Sequence, residues 1–330
     1  MGKLKIRKMT RFVIYTFELF YHVVDSIIKR VLRGAKRPTW WLTTELSRKT
    51  MRRTIDHSLG WGTEWYRNLQ KISARALRND SDIFSSEIQL NNCTMEWFGQ
   101  SMKKQNRAIL YFHGGGYVYG STDTHRNFIN RLVKKTSTDV YSVNYRLAPE
   151  NPFPAAVEDA QNAYDYLLNK LPNEHIILMG DSAGGSLCTA IMFEMKRLPK
   201  AAVLISPWVE PMAKGGSIDT NDEYDIGGQP FLLDCAEKYL QNQDEKNPLI
   251  TPIYGNMSAF PPMLIQVGQC EVLLTQIQEF TKKAKAENVD ITYMEYEDMF
   301  HTFIISNPNI PQSELAMEDI GKYVKKQLKV

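Results

Sequence analysis

His175-Ile-Ile-Leu-Met-Gly-Asp-Ser-Ala-Gly-Gly-Ser-Leu-Cys-Thr-Ala-Ile-Met-Phe-Glu-Met195 is the stretch that decides the fold. Its first five residues form an apolar run, the pentapeptide Gly180-Asp181-Ser182-Ala183-Gly184 follows, and a helix-prone segment starts at once. A G-x-S-x-G pattern between a strand and a helix reads as a nucleophile elbow. A serine that attacks a carbonyl must leave the sheet on a tight turn, near the positive end of a helix and within reach of a base. Glycines at 180 and 184 let strand and helix approach closely around that turn. Ser182 is therefore the nucleophile candidate, and the chemistry indicated is acyl transfer.

The flanking chain supplies the other parts such chemistry needs. Upstream, Arg107-Ala-Ile-Leu-Tyr-Phe112 reads as a buried strand that runs into His113-Gly114-Gly115-Gly116-Tyr117. Consecutive glycines after a strand leave backbone N–H groups free to stabilise the oxygen of a tetrahedral intermediate, an effect worth a few kcal/mol of barrier. Gly114 and Gly115, with Ala183 after the nucleophile, are the expected oxyanion donors. His113 is expected to prop this loop through a hydrogen bond, because it precedes Ser182 and the chain order nucleophile, acid, histidine puts the base last.

Downstream, Pro261-Pro-Met-Leu-Ile-Gln-Val-Gly268 reads as a strand followed by Gln269-Cys270-Glu271, and Asp290-Ile-Thr-Tyr-Met-Glu-Tyr296 as another followed by Glu297-Asp-Met-Phe-His301. Of the six histidines, His301 alone follows the elbow at the end of a late strand. It is the expected base, with Glu271 fixing its tautomer. Asp298, three residues before His301, is the rival acid.

Strands expected at 108–112, 140–145, 176–179, 201–205, 263–267 and 291–296 alternate with helices near 124–135, 155–171, 185–197, 273–288 and 312–328. That alternation predicts an α/β fold: a mostly parallel sheet with helices on both faces and ligands at the carboxyl ends of its strands. Stretches 82–89 and 93–99 add an antiparallel hairpin at the sheet edge.

In register with this frame stand His113-Gly-Gly-Gly116 with Gly120, Tyr145-Arg-Leu-Ala-Pro-Glu150, Pro152-Phe-Pro-Ala-Ala156, Gly180-Asp-Ser-Ala-Gly-Gly185 and Phe300-His-Thr-Phe303. On these motifs the chain from about Arg107 to Val330 resembles the hormone-sensitive lipase family of α/β-hydrolase esterases, which includes arylacetamide deacetylase-like enzymes. The resemblance implies the α/β-hydrolase fold with a helical cap, and Ser182, Glu271 and His301 as triad. It also implies oxyanion donors at Gly114, Gly115 and Ala183, and a buttressing role for Asp181 and the 145–150 segment. Two positions depart from the family pattern: Glu271-Val-Leu273 stands where Asp-Pro-Leu is usual, and Thr302 follows the histidine where glycine is common. Glutamate holds the same imidazole N–H from one methylene further away. The expected activity is a serine carboxylesterase acting on short to medium acyl esters, with neither metal nor cofactor. An amide hydrolase or deacetylase with the same triad is the alternative. A small-molecule receptor on this fold, like the plant gibberellin receptors, would lack the histidine that His301 supplies.

The expected domains are amino-terminal cap helices over 1–80 and a catalytic domain over 81–330, with a cap insertion at about 207–252. Trp208, Phe231 and Tyr239 are the candidate pocket aromatics of that insertion. Residues 12–32 are rich in large apolar side chains and flanked by Lys3, Lys5, Arg7, Lys8 and Arg11 before and Arg33, Lys36 and Arg37 after. Glu18 and Asp25 interrupt the run, which is too short to span a bilayer, and no signal-peptide cleavage site follows. Two readings stay open: a cap helix whose apolar face closes the active site, and a basic helix lying on a membrane surface. The chain's net charge of +3 is concentrated there, which argues against a nucleic-acid partner. Cys93, Cys188, Cys235 and Cys270 lack metal-ligand and C-x-x-C spacing and point to a reducing, cytoplasmic compartment. The sequons at Asn92 and Asn256 matter only in a lumenal setting.

Overall fold

A computed structural model describes residues 2–76, 82–212 and 214–329. The side chains of Lys3, Lys5, Arg7, Lys8 and Phe12, and the domain boundary expected at residues 80–81, lie outside the described residues. Three helices come first: α1 (Gly2–Arg33), α2 (Leu42–Trp61) and α3 (Thr63–Ala76). The strands β1 (Phe84–Gln89), β2 (Thr94–Gly99) and β3 (Ala108–Phe112) lead into α4 (Thr122–Thr136), β4 (Asp139–Asn144) and α5 (Ala155–Leu168). Then follow β5 (Ile176–Asp181), α6 (Ala183–Glu194), β6 (Ala201–Ile205), α7 (Ser217–Thr220) and α8 (Gln229–Leu240). The chain closes with β7 (Met263–Gly268), α9 (Leu274–Ala286), β8 (Ile291–Tyr296), α10 (Phe303–Ser306) and α11 (Pro311–Leu328).

The strands form one sheet in the order β1-β2-β4-β3-β5-β6-β7-β8. From β4 to β8 every pairing is parallel, while β2 runs antiparallel to both β1 and β4. The predicted parallel sheet and edge hairpin are thus both present. Side chains alternate across it as a period of two requires. Ala108, Leu110 and Phe112 of β3 pack on one face with residues of α5, α6 and α9, whereas Ile109 and Tyr111 pack on the other with α4 and α11. Continuous apolar runs such as Ile176–Met179 suit strands covered on both faces.

The junction of β5 and α6 is crowded to the point where only glycine fits. A Cβ on Gly180 would sit 2.3 Å from the Gly184 carbonyl oxygen, and one on Gly184 would sit 2.0 Å from the carbonyl oxygen of Phe112. Ser182 between them takes φ 52° and ψ −121°, a conformation costly for a residue with a side chain. It is held by Ser182 N–H to Ile205 O at 2.9 Å and Trp208 N–H to Ser182 O at 3.0 Å. Gly184→Ala is expected to destabilise the fold by about 3 kcal/mol or more through backbone overpacking. Urea denaturation measures this, and an unchanged midpoint would mean the junction has room to relax.

Candidate active site

At the carboxyl ends of β3, β5, β7 and β8 a cavity of about 540 Å³ is lined by Gly114, Gly115, Gly116, Ser182 and His301. Met51 and Ile55 of α2, Tyr66 and Gln70 of α3, and Trp208 and Phe231 of the 207–252 segment complete much of its wall, a part that is apolar but for the Gln70 amide. Tyr239 does not line it. That ring stacks on Tyr117, with centroids 3.7 Å apart and planes at 6°, and is consumed by packing. Among the described residues none of α1 lines the cavity either, and the exposed side chains of its stripe point away from the site.

His301 meets Glu271 through Nδ1 and Oε2 at 2.9 Å. The Glu271 carboxylate is fully buried, and its other oxygen accepts from Ser206 Oγ and from Gly268 N–H, each at 2.6 Å. Both oxygens therefore have assigned partners, which fixes the rotamer of the longer side chain. Asp298 faces elsewhere: Oδ2 accepts from Thr39 Oγ1 at 3.1 Å, and Oδ1 lies 3.8 Å from Arg37 Nε. It is an anchor for the α1–α2 connection. Ser182 and His301 share the cavity, and among the described residues no hydrogen bond joins them. Such nucleophile–base contacts are commonly loose before substrate binds.

The oxyanion expectation needs one correction. Gly114 N–H donates to Asp181 Oδ1 at 2.9 Å and is not available to an oxyanion. Among the described residues, the N–H groups of Gly115, Gly116 and Ala183 have no backbone or side-chain acceptor. The constraint that turns Gly114 inward is Asp181, which adjoins Ser182 and also accepts from Tyr111 O–H at 2.5 Å. A Cβ on Gly116 would meet Cys235 Sγ at 2.7 Å, so the loop must stay bare to lie here. His113 props the loop through Nδ1 and Gly114 O at 2.8 Å, stacks on Tyr145, and receives Tyr145 O–H at its own carbonyl at 2.6 Å. Arg67 of α3 reaches the carbonyls of Val118 and Ala148 and the Glu150 carboxylate, tying the 145–150 segment to the amino-terminal helices.

Sequence reasoning missed Asp225. This fully buried carboxylate accepts from the N–H of Val272 and of His301, both at 2.7 Å, and so pins the turn that carries Glu271 and the loop that carries His301 at once. Burial pushes its pKa up to about 6, against the pull of His301 and with the help of Glu271. It sits in an irregular segment among other acidic residues, Asp222 and Glu223, where no spacing marks it out.

Burial disfavours the charged form of His301, but its hydrogen bond to Glu271 and the charges of Glu271 and Asp225 outweigh that and raise its pKa. His125 behaves alike: burial opposes its charge, yet Asp181, 3.5 Å away, raises its pKa above 6.5. Burial works against the Asp181 charge, and His125 and Tyr111 overcome it and lower that pKa. Burial, with His125 beside it, takes His113 down to about 3 and keeps it neutral.

A family model described as "alpha/beta hydrolase fold" matches residues 109–305. An acetyl-hydrolase of Streptomyces hygroscopicus is 36% identical over 249 residues, covering 72% of this chain and 81% of that protein. An esterase of Acinetobacter venetianus is 30% identical over 235 residues, covering 68% and 78% respectively. Among solved structures, an esterase from the bacterial hormone-sensitive lipase family superposes with a TM-score of 0.79 at 33% identity, covering 86% of this chain and 98% of that one.

The His125–Asp181 pair gives a direct check. The His125 contribution to stability is fully present below 6.5 and is lost as pH rises through its raised folded value. That of Asp181 is present above 3.8 and is lost as pH falls through its depressed value. In an NMR titration of the ring protons, the His125 midpoint is expected above 6.5 and should fall in Asp181→Asn, while His113 stays neutral down to about 3. A His125 midpoint unmoved by Asp181→Asn would remove the pair from the account.

Proposed function

The chain belongs to the hormone-sensitive lipase family of α/β-hydrolase esterases and is a carboxylic ester hydrolase, and from that premise we propose that it works through an acyl-Ser182 intermediate. The carrying observation is the buried Glu271–His301 contact in the cavity that also holds Ser182. His301 takes the Ser182 proton as Oγ attacks the ester carbonyl, and Glu271 stabilises the imidazolium. Gly115, Gly116 and Ala183 N–H groups stabilise the tetrahedral oxyanion. His301 then protonates the departing alcohol, and water activated by the same histidine releases the acid.

The substrate range we propose is short to medium acyl esters. It is supported by the cavity of about 540 Å³ and its largely apolar wall. Within residues 1–80 it is α2 and α3 that act as the cap together with about 207–252, a reading supported by the cavity-facing side chains of these elements. Asp225 acts as a positioning residue. A reducing, cytoplasmic setting is supported by four free and buried cysteines. The reading extends to peripheral membrane contact, which rests on α1 and not on the catalytic centre.

Ser182→Ala is expected to lower kcat on a p-nitrophenyl ester by a factor on the order of 10⁴ to 10⁶, and to abolish labelling by an organophosphonate. Glu271→Gln should cost on the order of 10² to 10⁴ in kcat, well beyond Asp298→Asn. Turnover retained in Ser182→Ala, or the reverse ranking of the two acids, would overturn the assignment. A second outcome concerns pH. The base must be neutral to accept a proton, and the Asp225 charge helps to raise its pKa, so Asp225→Asn should move the acidic limb of kcat/KM to lower pH. A limb that stays in place or moves to higher pH would deny Asp225 that influence.

A further inference from the structure

α1 is oriented opposite to a helix that packs in water. Its polar face meets the rest of the protein: Tyr15 O–H bonds Thr54, Glu18 meets His57, Lys49 reaches Asp25 at 2.6 Å, and Arg30 reaches Glu45 at 2.9 Å. Its apolar face points outward. Ten of the seventeen exposed large apolar side chains of the described residues lie on this helix, including Phe17 at 72% and Val31 at 80% exposure. Val13, Phe17, Phe20, Val24, Ile27 and Val31 recur at alternating spacings of four and three, which makes one continuous stripe. A contiguous apolar surface of this length marks an interaction site rather than ordinary solvent exposure.

Charge selects the occupant. Residues 1–37 carry ten basic and two acidic side chains, a net of +8, against +3 for the whole chain, so the remainder stands at −5. Glu45, Glu223 and Asp298 pair with Arg30, Lys36 and Arg37, which leaves a local net of +5. We infer that α1 lies flat on an anionic phospholipid surface, its apolar stripe in the acyl boundary and its polar face turned back to the protein body. No helix among the described residues is long and apolar enough to cross a membrane, which suits a helix lying in the interface plane. A second copy of the chain fits less well. The stripe is widened by Ile14, Tyr21 and Ile28 beyond the two-position seam of a helix pair, and pairing would bring like-charged termini together.

The consequence is delivery of lipophilic substrate. α2 holds α1 through Lys49, Thr54 and His57, and lines the cavity with Met51 and Ile55, so one helix layer separates the bilayer face from the site. That consequence rests on the esterase reading; the binding itself does not.

The test is flotation of the full chain with vesicles of phosphatidylcholine alone or mixed with phosphatidylserine, at low and high salt. Binding to the mixed vesicles is expected, weaker with phosphatidylcholine alone and at high salt. Phe17→Ser, Phe20→Ser and Val31→Ser combined should lower the affinity at least about tenfold while turnover of soluble p-nitrophenyl acetate stays at the wild-type rate. Ser182→Ala should float like wild type, which separates this result from the fate of the catalytic assignment. Absence of flotation with the mixed vesicles, or flotation indifferent to the triple substitution, overturns the inference. So does a sedimentation-velocity dimer that the triple substitution dissociates in a chain that does not float.

Discussion

The site depends on a backbone contact that tolerates no side chain: Gly184, in the first turn of α6, lies against the carbonyls of Phe112 and His113 at the end of β3. Because β3 and β5 are hydrogen-bonded neighbours, their ends already emerge side by side. The glycine contact then brings the start of α6 under the loop that leaves β3. From this one approach follow the place of Ser182 in the wall of the cavity, beside Gly115 and Gly116, and at the positive end of α6. Asp181 completes the arrangement by accepting Gly114 N–H and Tyr111 O–H, which ties the elbow to the loop.

Around that unit the charges are arranged in two layers. Asp181 and His125 stabilise each other beneath the loop, and Glu271, Asp225 and His301 form a second group on its far side. Burial opposes the charge on each histidine and the facing carboxylate favours it, and each carboxylate is held by N–H or O–H donors that keep it in one orientation. Asp225 differs in that its carboxyl contacts are to backbone. It clamps the turn carrying Glu271 and the loop carrying His301, and so ties the two together.

The sheet was legible in the sequence because strands buried on both faces read as apolar runs and the helices between them carry a different period. The elbow, the glycine loop and His301 were legible for a similar reason: each needs residue types that nothing else at that place could replace. What escaped has physical causes. Gly114 looks identical to Gly115 and Gly116 until the side chain of Asp181 takes its N–H. Asp225 lies in an insertion whose backbone path follows no periodicity, and its role depends on two partners 47 and 76 residues away. The direction of α1 was equally hidden, because an amphipathic pattern gives the width of the apolar stripe but not what the stripe faces.

Which carboxylate meets His301 turns on the same distinction between position in sequence and direction in space. Asp298 is close to His301 along the chain, yet its backbone takes φ 58° and its carboxylate goes to Thr39 and Arg37. Glu271 is thirty residues away and reaches the imidazole. Its extra methylene relative to aspartate adds a rotatable bond that would loosen the histidine's orientation. Ser206 Oγ and Gly268 N–H remove that freedom by holding Oε1, which leaves Oε2 as the oxygen free to face Nδ1. A glutamate can therefore occupy a position that commonly carries aspartate, provided the structure supplies two donors to immobilise its far oxygen, and Ser206, at the end of the strand next to the elbow, is the residue that links this requirement back to the sheet.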